Sequence, residues 1–383
     1  MDRQPLGADS TNTINVMGIF TNFCAGVCEG ILPASHVEAI LVNVPQHAAH
    51  EAAIRATSRM LAKAQPQYDM LDSGGYQFLR MEEKGGGVEF NPAGPLVYLP
   101  DRINLTPQHV IQAAMRLRPR IFTALDLPVP KISNPVLQDQ AFMRKLGINL
   151  VLMTETSRLR SRYCPEIELF IPIQCYTLEQ FGYIERQLVH LEFDGLSLPT
   201  RNLEPAGIAL YLVKFYQMGI RKVHLLSVSN FTGIALATYF ARHVFDWCSV
   251  DATTWNKNAQ HQDYLHPQDL SKISVRDDAV FKVKQLPCDC PWCSIMDFTK
   301  VQLLPQTAKT NFLRHHNFYA IQQLGHELYA RSTNFNAYIQ HLRERNQRQA
   351  RKVKKLIEAL TIVHRRKDEP IETLRKLLGG GRI

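Results

Sequence analysis

No apolar run in this 383-residue chain approaches the roughly 18–20 residues of a membrane span. The opening residues, Met-Asp-Arg-Gln-Pro-Leu-Gly, lack the apolar centre of a secretory leader. Cysteine is sparse: the eight are Cys24, Cys28, Cys164, Cys175, Cys248, Cys288, Cys290 and Cys293. So few thiols in so long a chain do not make a disulfide scaffold. These absences predict a cytoplasmic protein with no membrane partner. No internal repeat with a period of about 20–50 residues is visible, which excludes solenoids and propellers. No Gly-x-Gly-x-x-Gly follows an early strand-like run, which counts against a doubly wound nucleotide-binding sheet.

What is present is a globular composition, 45% apolar and 21% charged, with a net charge of +9. That charge is unevenly placed. Residues 341–383 hold 13 Lys/Arg and 5 Asp/Glu, a net of +8, which leaves 31 against 30 in the other 340 residues.

Short apolar runs read as buried strands at Val37–Val44, Tyr68–Asp72, Arg120–Asp126, Gly147–Met153, Glu168–Gln174, Glu192–Leu198, Arg221–Ser229 and Trp247–Asp251. Between them, Gln46–Gln65, Thr106–Leu117, Asn134–Leu146, Leu178–His190, Glu204–Met218 and Thr232–Val244 have helical spacing. Thr106-Pro and Asn134-Pro supply a cap followed by proline in the first turn. Eight strands alternating with helices predict an α/β fold, a (β/α)8 TIM barrel. The Gly- and Pro-rich stretch Arg80–Arg102, including Lys84-Gly-Gly-Gly87, reads as an excursion from it, a hairpin or flexible loop. The expected organisation is an N-terminal segment (1–34), the barrel (35–280), an inserted metal-binding subdomain (281–335) and a basic helical C-terminal tail (336–383).

A barrel places its chemistry at the C-terminal ends of its strands. The polar residues there are Asp72, Asp126, Gln174, Ser197, Ser229 and Asp251. Each alone could be a turn or cap residue, but together they predict a polar mouth. Leu71-Asp72-Ser73-Gly74-Gly75-Tyr76-Gln77 adds two glycines that permit a tight turn and a close ligand approach.

Cys288-x-Cys290-x-x-Cys293 followed by His315-His316-Asn317 supplies three thiolates and an imidazole. That is the donor set of a closed, four-coordinate structural Zn2+ site. Spacing alone leaves the choice between His315 and His316 open.

The Asp-Ser-Gly-Gly-aromatic-Gln motif, followed across a barrel by Cys-x-Cys-x-x-Cys and His-Asn, resembles the tRNA-guanine transglycosylase superfamily over residues 35–335. The resemblance implies a (β/α)8 barrel carrying a zinc subdomain, and an enzyme that exchanges guanine in a polynucleotide for a 7-deazaguanine base. It implies roles for particular residues. Asp72 would transfer protons, with Ser73 beside it at the substrate. Asp126 in Ala-Leu-Asp-Leu-Pro and Gln174 in Pro-Ile-Gln-Cys would contact the base, and Gly195 in Phe-Asp-Gly-Leu-Ser would line its pocket. The nucleophile would be an aspartate ending the last strand, Asp251 in preference to Asp246, which would begin that strand. His316, which precedes Asn317, would be the fourth zinc ligand. The resemblance also allows a homodimer.

Such chemistry needs these residue types. A carboxylate beneath the sugar stabilises an oxocarbenium-like transition state and traps a glycosyl-enzyme. A second carboxyl moves the proton of the departing and arriving bases. The chain departs from the tRNA enzymes after Asp251, where Ala-Thr-Thr-Trp replaces a Leu-Pro-Thr-Arg-like stretch, and after Asp126, where Leu127-Pro128 follows. It is more similar there to the DNA-guanine transglycosylase branch, so DNA is the expected partner and tRNA the alternative. A non-catalytic nucleic-acid-binding relative is a third reading, against which stand both Asp72 and Asp251. The run Arg343, Arg345, Arg348, Arg351, Lys352, Lys354 and Lys355, with Arg365, Arg366 and Lys367 beyond it, predicts a basic helix that contacts phosphates.

Overall fold

The computed structural model describes residues 16–22, 38–82, 88–90, 96–98, 103–201, 203–228, 230–345 and 350–378. Ser229, Arg348 and Lys84–Gly87 lie outside them. Eight parallel strands close a barrel: β1 (Val16–Asn22), β2 (Ala39–Asn43), β3 (Tyr68–Asp72), β4 (Ile121–Thr123), β5 (Glu168–Pro172), β6 (Gly195–Pro199), β7 (Lys222–Leu226) and β8 (Trp247–Ala252). Closure comes from β1, which pairs with β8 along its length and with β2 through Thr21 and Asn22.

The count of eight matches the expectation, but one strand differs. Gly147–Met153 is not a strand. It lies inside a helix of 29 residues, Pro135–Tyr163. Buried Asn149, Leu152, Met153, Thr156 and Leu159 recur there at spacings of three or four, while Val151 is exposed. The short run Ile-Asn-Leu-Val-Leu-Met does not reveal its period, and the helix continues through it. The missing strand is β1, from the segment placed outside the barrel. The Arg80–Arg102 excursion yields two strands of a small antiparallel sheet, Val88–Phe90 and Leu96–Tyr98, which Ile103–Leu105 completes just beyond it.

The helices around the barrel are α1 (Glu51–Ala64), α2 (Gly75–Glu82), α3 (Pro107–Leu117), α4 (Pro135–Tyr163), α5 (Leu178–Leu188), α6 (Pro205–Gln217), α7 (Phe231–His243) and α8 (Thr254–Gln260). Thr106 caps α3 by accepting from the His109 amide, and Asn134 caps α4 by accepting from Val136 and Leu137. Helices α9 (Gln306–Arg331), α10 (Phe335–Arg345), α11 (Ala350–Arg366) and α12 (Ile371–Leu377) follow.

α6 and α7 are buried on nearly every side, because the barrel covers one face and the C-terminal helices cover the other. Val353, Leu356, Leu360 and Val363 of α11 are buried in that layer, and Tyr338 of α10 donates to the Ala235 carbonyl at 2.7 Å. At about 1.5–3 kcal/mol per buried aliphatic side chain, α11 is part of the folded body and not a detachable tail.

Candidate functional site

Strand alternation sorts the barrel interior into layers. The floor is apolar: Leu41, Met70, Ile121, Phe170 and Trp247. Above it lies a fully buried polar layer of Thr123, Ser197, His224 and Ser249. Above that, at the C-terminal mouth, stand Asp72, Asp126, Gln174 and Asp251. Ser197 therefore sits in the middle layer of β6 and not at the mouth.

The Asp72 turn is built by its glycines. Gly74 adopts φ +90°, the left-handed region where a side chain is strained. Gly75 lies so close to the next strand that a Cβ would sit 2.3 Å from Asp126 Oδ1. Asp72 Oδ2 accepts from the Gly74 amide at 3.2 Å, and Oδ1 from Thr123 Oγ1 at 3.4 Å. The Ser73 amide donates to Thr123 Oγ1 at 2.8 Å, and the Ser73 hydroxyl to Asp126 Oδ1 at 3.2 Å.

Asp126 lies three residues beyond β4, in a loop held from several sides. Asn149 of α4 grips Leu127, accepting from its amide at 2.7 Å and donating to its carbonyl at 3.0 Å. Lys145 Nζ donates to the Pro128 carbonyl at 2.7 Å, and Tyr176 to the Val129 carbonyl at 3.0 Å. Gln174 Nε2 donates to Asp126 Oδ2 at 2.5 Å, while its Oε1 accepts from the Val129 amide at 3.4 Å. These bonds fix the carboxylate's position before any ligand arrives.

The acids perturb one another. Burial, and next the charge of Asp251, raise the Asp72 carboxyl to about 6. Burial, and next the charge of Asp72, raise Asp126 to about 7, against the hydrogen bonds from Gln174 and Ser73. A buried carboxyl poised near neutrality suits proton transfer.

Asp251 is the penultimate residue of β8 and is buried. Its Oδ1 accepts from the Ser227 amide at 2.6 Å, and Ser227 itself adopts φ +66°. Non-glycine residues adopt that left-handed region uncommonly. Asp246 is not at the mouth. It precedes β8, and its amide bonds the Arg221 carbonyl at the barrel's opposite end.

Beneath Asp251 lies a chain that the sequence reading did not single out. Trp247 Nε1 donates to Ser249 Oγ at 3.0 Å, and Ser249 Oγ lies 2.8 Å from His224 Nδ1. Indole is a donor only, so the serine hydroxyl is free to donate onward to Nδ1. In the neutral ring the proton then sits on Nε2, 3.5 Å from Asp251 Oδ1. The signal in the sequence was a polar residue flanked by apolar ones in each strand: Phe-Thr123-Ala, Leu-Ser197-Leu, Val-His224-Leu and Cys-Ser249-Val.

Gly195 does not join the mouth. It opens β6 at the floor, where a Cβ would meet the Phe170 ring at 2.7 Å and the Lys222 carbonyl at 2.8 Å. Its role in this structure is to admit that ring.

Two cation–aromatic pairs flank the mouth. Arg201, just past β6, lies 5.7 Å from the ring centroid of exposed Tyr76 and donates to its hydroxyl at 3.3 Å. Lys131 Nζ lies 4.5 Å from the ring centroid of Tyr176.

The metal cluster is a separate unit. One donor atom from each of Cys288, Cys290, Cys293 and His316 lies within 4.8 Å of the others. His316 Nδ1 is 3.3 Å from Cys293 Sγ and 3.7 Å from Cys290 Sγ. Its Nε2 donates to the Leu265 carbonyl at 2.8 Å, which leaves Nδ1 as the donor for a metal. The spacing suits four ligands around one tetrahedral ion, so the cluster can hold a metal. His315 instead stacks on Trp292. Asn317 accepts from the Leu265 amide and donates to the Asp263 and Trp255 carbonyls. The cluster thus staples α9 to the Cys288–Cys293 loop, and His316 and Asn317 tie α9 to the chain leaving β8 at Trp255, Asp263 and Leu265. Its small core starts at Ala259 and includes Tyr264, Val275 and Leu313.

A scan against protein-family models finds no match for this chain, and no curated protein matches it. Among the described residues, no helix is long and apolar enough to cross a membrane.

Proposed function

We propose that this protein is a transglycosylase that exchanges guanine in DNA for a 7-deazaguanine base through a glycosyl ester on Asp251. The observation that carries the reading is the convergence of three aspartates from three separate strand ends, Asp72, Asp126 and Asp251. Asp126 is held by a prearranged Gln174, and Asp72 and Asp126 are raised toward neutrality.

In the first step the Asp251 carboxylate attacks C1′ of the sugar. The C1′–N9 electron pair leaves with guanine, which takes the proton of the Asp72 carboxyl. Asp126 and Gln174 hold the hydrogen-bonding edge of the base, whose N–H donors stabilise ionised Asp126. The incoming base returns a proton to Asp72, and its nitrogen displaces the Asp251 ester. Two displacements retain configuration. The base must be out of the helical stack to reach this mouth. The flanking pairs Tyr76–Arg201 and Lys131–Tyr176 suit an unstacked nucleotide, since they combine aromatic faces with cations. Ala-Thr-Thr-Trp after Asp251 supports DNA over tRNA as the substrate. The Cys288–Cys290–Cys293–His316 site is proposed to hold Zn2+ as a structural ion, with no part in the steps above.

The test is incubation of the purified protein with labelled guanine and either DNA or tRNA. Label entering DNA is expected. Label entering tRNA alone overturns the choice of DNA, and label entering neither overturns the exchange.

A further inference from the structure

We propose that the mouth-side end of α11 binds the phosphate backbone of the DNA whose guanine enters the barrel. This rests on the exchange reading above and assigns that site its docking surface. The direction of α11 carries the argument. Near its start, Lys355 Nζ lies 3.7 Å from Glu204, the N-cap of α6. That cap follows β6, so it stands at the mouth. At the other end, Gln217 in the last turn of α6 donates to the carbonyls of Lys367 and Glu369, and His364 meets Tyr239 near the end of α7. α11 therefore runs from the mouth toward the floor. Arg351 and Arg366 are separated by fifteen residues, about 22 Å at the helical rise.

The basic sequence divides along this axis. Residues 341–355 hold seven Lys/Arg and one acid, a net of +6, whereas residues 356–383 hold six and four, a net of +2. At the floor, Arg366 pairs with Glu369, and Lys367 pairs with Asp368 and lies over the Tyr216 ring. At the mouth, Arg351, Lys352 and Lys354 are exposed, and among the described residues no ion pair engages them. Arg345 is excluded because it is tied to Glu327 and to the Gln268 carbonyl.

Position and charge agree. Glu204 lies three residues beyond Arg201, whose guanidinium flanks the mouth over Tyr76. A strand with one nucleotide inside the mouth passes Arg201 and then meets Lys355, Lys354, Lys352 and Arg351. The mouth itself presents carboxylates, which repel phosphate, so the attraction must come from beside it.

The experiment uses the full chain and a fluorescein-labelled single-stranded DNA of about 20 nucleotides, read by anisotropy over a salt series. The variant Arg351→Gln/Lys352→Gln/Lys354→Gln is compared with Arg365→Gln/Arg366→Gln at the floor. Thermal melts confirm that both remain folded. Loss of three single-strand phosphate contacts flattens the log–log salt slope by about 2. The affinity lost between about 50 and 200 mM salt then shrinks by about 20-fold. The floor variant should keep the wild-type slope. Equal slopes in both variants and wild type overturn the proposal, as does an equal flattening in both. Tighter binding of a matched RNA through the same three side chains overturns the commitment to DNA. Binding is read without exchange, so the two readings can fail separately. A slope change without exchange faults the chemistry at the mouth, and exchange without a slope change faults the surface.

Discussion

Replacing Asp72 with Asn should make the protein more stable at pH 8 than at pH 4, relative to wild type. The carboxyl is raised from 3.8 to about 6, chiefly by burial and then by the charge of Asp251. Its folded value therefore exceeds its unfolded value, and between them the native state holds more protons than the unfolded state. Stability contributed by the protonated group is present in full below the unfolded value and is lost as pH rises through about 6. A shift of about two units is worth at most about 3 kcal/mol. Asn keeps the Gly74 amide bond and carries no charge, so the variant escapes that loss. Guanidinium unfolding of both proteins at pH 4, 6 and 8 gives the comparison. The stability difference, variant minus wild type, should rise by up to about 3 kcal/mol from pH 4 to pH 8. A constant offset at all three pH values would show that Asp72 is not held above its ordinary range, and the proton-transfer role would lose its physical basis.

Other outcomes follow from particular contacts. Metal analysis of the purified chain should find one ion per molecule, and Cys290→Ser should lower both that content and the melting temperature; full metal retention would remove Cys290 from the ligand set. Gly75→Ala places a Cβ against Asp126 Oδ1 and should cut exchange activity well beyond its effect on stability, because Asp126 must move. Gly195→Ala should instead destabilise by about 1–3 kcal/mol through crowding at the Phe170 ring. If its loss of exchange, corrected for the folded fraction, matches that of Gly75→Ala, the assignment of Gly195 to the floor is wrong.

The barrel was legible in the sequence because buried parallel strands read as short apolar runs between capped helices. Thr106 and Asn134 marked two helix starts correctly. The error at Gly147–Met153 has a physical source: seven apolar-rich residues do not distinguish a buried strand from the buried face of a long helix, and that face is buried because Leu152 and Met153 pack into the core while Asn149 grips the Asp126 loop. The mouth acids were legible because each lies at or just past the C-terminal end of a strand-like apolar run. The middle layer was not, since a lone His or Ser in an apolar strand acquires meaning only when Trp247, Ser249 and His224 align beneath Asp251. The C-terminal helices look like a tail when charge is counted. They are half of a packed layer, because Leu356, Leu360 and Val363 cover α6 and α7. Substitution, not truncation, is therefore the way to test their charge.

Exchange at Asp251 within DNA leaves a chemical record in the DNA itself. Mass-spectrometric nucleoside analysis of DNA from cells supplied with a 7-deazaguanine base tests it directly, comparing cells that express the wild-type chain with cells that express Asp251→Asn. A 7-deazaguanine deoxynucleoside is expected in the first DNA and none in the second, with both proteins folded. The same deoxynucleoside in both, or in neither, would contradict it.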